Sequence, residues 1–71
     1  MPVSDHIYKK LELTGSSTSS IEEAVNNSIT KASKSIHNLR WFEMVEIRGE
    51  IGDKAVSHWH ATMKIGFTLD E

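Results

Sequence analysis

From Trp59 to Leu69 the chain reads WHATMKIGFTL, and every second residue, Trp59, Ala61, Met63, Ile65, Phe67 and Leu69, is apolar. Side chains of a β-strand alternate between the two faces of the sheet. This spacing therefore calls for a long strand, Ala55 to Leu69, with a core face and an opposite face carrying His58, His60, Thr62 and Lys64. A one-sided sheet needs a second layer to lie against. In a chain of 71 residues there is room for one domain, residues 1–71, and one such layer. A chain this short buries only about 60% of the surface it exposes when unfolded, which leaves little margin of stability. It has no cysteine for a disulfide, so oligomerisation or a bound ligand is expected to supplement the core.

The second layer is a single helix. Ser20 followed by Glu23 reads as a capping box, in which each side chain satisfies an unpaired amide at a helix start, so a helix begins near Ile21. Ile21, Ala24, Val25, Ile29, Ala32, Ile36 and Leu39 form one apolar stripe over about five turns. Asn38 is suited to the left-handed conformation that closes a helix. Ahead of it, His6 to Leu13 alternates Ile7, Lys9, Leu11 and Leu13 against Tyr8, Lys10 and Glu12, a first strand. TGSSTSS, residues 14–20, reads as a polar turn-forming loop, and residues 1–5 and 70–71 as flexible termini.

Arg40 to Arg48 reads as a further strand, followed by a turn region from Gly49 to Lys54. The last two strands then make an antiparallel hairpin, giving a β-α-β-β unit of the α+β class with a three-stranded antiparallel sheet wrapped round the helix. Simple alternation in this middle strand mixes charged and apolar residues on both faces. One extra residue at Met44-Val45, a β-bulge, turns Phe42, Met44 or Val45, and Ile47 inward while Trp41, Glu43, Glu46 and Arg48 point outward. Trp41 and His60 come out on the face away from the helix in either register.

A formal net charge of -2, with both signs interspersed, lacks the basic footprint that nucleic acid or an anionic membrane would demand. The start, MPVSDHIYKK, has no apolar export segment or bilayer span, which points to the cytoplasm.

An indole on the polar face of a small sheet either packs against another subunit or stacks a planar ligand, and the two combine if the ligand lies between subunits. His60 can hydrogen-bond the edge of such a ligand, and Arg48 can pair with a phosphate, though solvated roles are the commoner ones for both. His58 and His60, with His6 a conceivable third, could offer imidazoles to a metal, but two histidines fall short of a site. GSSTSS has one glycine and no following lysine, unlike a phosphate loop. No nucleophile stands at readable spacing from a base, so nothing points to an enzyme.

The runs YKKLELTGSS, IEEAVNNSITKAS, LRWFEMVEIRG and SHWHATMKIGF, in that order from about Ile7 to Leu69, resemble the dodecins across nearly the whole chain. The resemblance implies a β-α-β-β protomer assembled as a hollow dodecamer of cubic (tetrahedral) symmetry. Flavins, FMN or riboflavin, would be bound as stacked pairs between symmetry-related Trp41 side chains, and some members also hold coenzyme A. It implies storage, buffering or photoprotective sequestration of flavin, with indole quenching the excited ligand by electron transfer. His60 would be the edge contact, with Arg48 and Glu46 near the ribityl or phosphate end. Two positions depart from the family pattern. His60 replaces the usual glutamine, whose amide offers a donor and an acceptor side by side where an imidazole edge presents one group at a time. Thr68 replaces an arginine of several FMN-binding members. A dodecameric shell that has lost flavin affinity, or one that binds coenzyme A or another ligand, is the rival expectation.

Overall fold

The computed structural model describes residues 6–69, so the expected flexible termini lie outside the described residues. The elements are β1 (Tyr8–Ser17), α1 (Ile21–Ala32), β2 (Leu39–Ile51) and β3 (Val56–Thr68). This is the β-α-β-β order read from the sequence. β3, the strand with the strongest alternation, takes the centre of the sheet and pairs antiparallel with β1 on one side and β2 on the other.

β1 runs four residues past the expected end at Leu13, because TGSS is strand and only Thr18 to Ser20 are left to turn the chain. Two contacts account for this. The Thr14 and Thr62 hydroxyls hydrogen-bond across the strands at 2.8 Å. Gly15, opposite Ala61, lets the helix come down on the sheet: a Cβ there would lie 2.5 Å from the Ala24 carbonyl and closer still to Ser28 Oγ.

Ser20 caps α1 as expected, accepting from the Glu23 amide at 3.0 Å. The Glu23 carboxylate does not return the bond to Ser20; it accepts from the Ser17 hydroxyl. Ser17 Oγ in turn accepts from the amides of Ser19 (2.8 Å) and Ser20 (3.3 Å). Hydrogen bonds from Ser17 and then Ser19 hold the Glu23 carboxyl below its usual range.

The helix ends at Ala32, not near Leu39. The Ser33 hydroxyl donates to the Thr30 carbonyl at 2.8 Å, a local bond of the kind that competes with helix continuation, and the chain turns there. Asn38 is left-handed, at φ 65°, but it forms the corner into β2 rather than a helix cap. Its carbonyl accepts the Thr68 amide at 3.1 Å. Leu39, assigned to the helical stripe by its spacing, opens β2 opposite Phe67 and packs on the same core.

In β2 the register shifts between Met44 and Glu46, leaving Val45 as the extra residue of the expected bulge. Phe42, Met44 and Ile47 stand opposite Ile65, Met63 and Ala61 on the helix side, and Trp41, Glu43, Glu46 and Arg48 stand opposite Gly66, Lys64, Thr62 and His60 on the outer side. β2 continues to Ile51, so the hairpin connection is Gly52 to Ala55, closed by Gly52 N–H to the Ala55 carbonyl at 2.8 Å. Gly49 is inside the strand and not in the turn.

The core is Ala24, Val25 and Ala32 of α1 against Ala61, Met63 and Ile65 of β3, edged by Leu13, Ile21, Ile29 and Leu39. Trp59 and Phe67 are half-buried, and Leu69 is exposed past the strand end. α1 packs on β1 and β3, so the inner side of β2 stays bare: Phe42 is 45% exposed, Met44 37% and Ile47 58%. The radius of gyration, 15.0 Å, exceeds the roughly 11 Å of a compact domain of this length.

Candidate ligand platform

Trp41 leaves β2 on the outer face and lies over Gly66 of the central strand. A Cβ at position 66 would meet Cη2 of the indole at 2.6 Å, and Cζ2 and Cε2 closer still, so the ring fills the space that any larger residue would take. Glycine inside a strand often marks such a close approach. Across the sheet, Tyr8 of β1 meets the indole edge-on, with ring centroids 5.0 Å apart and planes at 72°. Held by a neighbour at its edge and a glycine alongside, Trp41 remains 39% exposed. It is a preformed aromatic surface on an otherwise polar face. Beside it, Arg40 Nε donates to Thr68 Oγ1 at 2.9 Å, so a guanidinium stands at position 68 although that residue is not arginine.

His60, Arg48 and Glu46 gather at the other end of the same face. His60 stands opposite Arg48, and Glu46 opposite Thr62. Glu50 faces both imidazoles, with Oε2 3.5 Å from His60 Nε2 and Oε1 3.7 Å from His58 Nδ1. β1 does lie alongside β3, but antiparallel: Tyr8 pairs with Thr68, which puts His6 at the end of the sheet away from His58. Among the described residues no group of three His, Cys, Asp or Glu side chains is arranged to hold a metal.

The positions named from sequence thus share one face but form two clusters. Trp41 is level with Gly66 and Arg48 with His60; six residues of strand at about 3.3 Å each separate them by about 20 Å. No single fused-ring ligand spans that distance. Glu46, level with Thr62, lies between them, four residues or about 13 Å from the level of Trp41. Gly66 and Tyr8 were missed by sequence reasoning. The signal available was a glycine set into the most regular strand, in the row with His60, Thr62 and Lys64.

The family model described as dodecin matches residues 7–70. This chain belongs to the dodecin family. It is 40% identical over 65 residues to the dodecin of Thermus thermophilus, covering 92% of this chain and 94% of that one. Among solved structures, the dodecin from Streptomyces davaonensis superposes with a TM-score of 0.91 at 46% identity, covering 96% of this chain and all of that one (100%). That of Streptomyces coelicolor gives 0.91 at 40% identity, covering 97% and 99%. A calcium dodecin from Mycobacterium tuberculosis shares the fold, with a TM-score of 0.79 at 19% identity over 90% of this chain and 91% of that one. In this dodecin no helix among the described residues is long and apolar enough to cross a membrane.

Proposed function

We propose that this dodecin is a non-enzymatic flavin store of the cytoplasm that assembles as a dodecamer and holds FMN or riboflavin in stacked pairs between subunits. The observation that carries the reading is Trp41, laid over Gly66 with more than a third of its surface open on a polar sheet face. Stacking a flat ring on an aromatic side chain is worth roughly 1 to 3 kcal/mol by analogy with nucleobases, enough for useful affinity when a second subunit covers the other side. The bare inner side of β2 supports assembly. It continues into a groove of about 160 Å³ lined by Ile29, Leu39, Arg40, Trp41, Phe42 and Ile65. A row of exposed apolar side chains, Phe42, Met44 and Ile47, is the kind of surface that a second copy would cover.

In this reading one copy supplies the indole, and another brings His60 to the ring edge with Arg48 and Glu46 towards the ribityl or phosphate end. Photoexcited flavin is an oxidant. Trp41 in contact with a bound flavin would supply an electron to it, and where that electron returned the light energy would be released as heat.

Titrating riboflavin or FMN with the ligand-free protein and following flavin fluorescence tests this. Strong quenching at micromolar protein, lost in Trp41→Ala, is expected; unchanged fluorescence in the wild type overturns the reading.

A further inference from the structure

We infer that Tyr8 is the electron donor that restores Trp41 after the indole has lost an electron. The inference rests on the flavin reading only for the identity of the cellular oxidant. Its structural ground is the edge contact between the two rings, with centroids 5.0 Å apart and planes at 72°, and the indole seat over Gly66 that any larger residue would fill. Rings in contact exchange electrons across a short barrier, so transfer between them competes with slower chemical damage to an indole radical.

The direction follows from proton chemistry. An oxidised phenol sheds its O–H proton readily, and that loss makes tyrosine the easier of the two residues to oxidise in neutral water. In the single protomer Tyr8 is 47% exposed, so water can take the proton there. The balance is complete. It applies to those oxidations in which the electron does not return to Trp41: the indole would have lost one electron, which the oxidant keeps, Tyr8 gives one electron to Trp41, and the phenolic proton passes to solvent. Trp41 ends as intact indole and Tyr8 as a neutral phenoxyl radical at the surface, where small reductants reach it. The platform is thereby spared the irreversible ring oxidation that an indole radical undergoes.

The chain is suited to a test that needs no flavin, since it has one tyrosine and two tryptophans. Azidyl radicals generated by pulse radiolysis oxidise indoles in preference to phenols near neutral pH. In the ligand-free full chain, indolyl absorption should decay as phenoxyl absorption grows, at one rate that does not change with protein concentration. Tyr8→Phe should abolish the growth and lengthen the indolyl lifetime many times over. Trp41→Phe should also abolish the growth, and Trp59→Phe should leave it intact. A wild-type decay rate in Tyr8→Phe, or phenoxyl growth that survives Trp41→Phe, overturns the inference. Under prolonged blue light with riboflavin, oxidised Trp41 peptides should accumulate several-fold faster in Tyr8→Phe than in the wild type, and equal accumulation also counts against it. Failure of the radiolysis result leaves flavin binding untouched. Failure to bind flavin leaves the electron transfer between the rings measurable.

Discussion

The indole of Trp41 occupies the space above Gly66 in which any other residue would place its first side-chain carbon. Gly66→Ala therefore forces the ring aside. The displaced atoms are the far end of a surface side chain and not backbone, so the fold should lose little stability. The platform should be spoiled nearly as thoroughly as by Trp41→Ala. Both variants are expected to weaken flavin binding about 5- to 150-fold, the equivalent of the 1 to 3 kcal/mol of one stacked ring, with near-native circular dichroism. Affinity within twofold of wild type in Gly66→Ala would mean that the indole does not need its seat.

Gly15 makes the opposite case, because what crowds it is helix backbone. An alanine there meets the Ala24 carbonyl at 2.5 Å as well as the Ser28 hydroxyl, and α1 must lift. Overpacking of this kind typically costs 1 to 3 kcal/mol. Chemical denaturation should show a loss of roughly that size, and adding Ser28→Ala should recover only part of it, since the carbonyl remains.

These two glycines show what the sequence could and could not convey. The apolar alternation of β3 and the bulge at Val45 were legible, because each follows from which side chains must reach the core. The length of α1 was not. Ile36 and Leu39 continue the helical spacing, yet the Ser33 hydroxyl turns to the Thr30 carbonyl and Leu39 reaches the same core from a strand. Residues Thr14 to Ser17 look like loop by composition, and become strand through a Thr14–Thr62 pair 48 positions apart. At the platform, Trp41 could be placed on the outer face by pattern alone. That it lies beside Tyr8 depends on the order β1-β3-β2, which short-range spacing does not encode.

Ile47 tests the role of the bare inner side of β2. It is 58% exposed in one protomer, opposite fully buried Ala61. Ile47→Asp puts a charge on a surface that assembly would dry, a change costing several kcal/mol per copy. Light scattering should show a collapse from a particle of about twelve chains to small species, with fluorescence quenching of flavin lost alongside. An intact large particle would place the subunit contacts elsewhere.

Glu23 gives the acid dependence. Its carboxyl is held below the usual value of 4.5 by Ser17 and then Ser19, so the folded state favours the ionised form more than the unfolded chain does. That stabilisation is present in full above pH 4.5 and is lost as pH falls through the lowered folded value. In Glu23→Gln the urea midpoint should be lower near neutrality, and the gap should close in acid. An equal gap at every pH would show that ionisation plays no part.

His60→Gln addresses the departure from the family pattern. An amide can donate and accept at the ring edge at once, one hydrogen bond more than the imidazole, and a net bond is worth about 1 kcal/mol. Flavin should bind roughly fivefold more tightly in the variant. A weaker complex would show that the imidazole, set by Glu50 at 3.5 Å, is the better-fitted partner.

The uncovered flank of β2 also governs how this protein responds to dilution. If the second strand is sheltered by sibling copies, the melting temperature is a property of the assembly, and the measured value should climb with total concentration. Each newly synthesised copy passes through an interval when that strand is unprotected, and the kink at Val45 then helps deter stray edge-to-edge pairing until the right neighbours arrive.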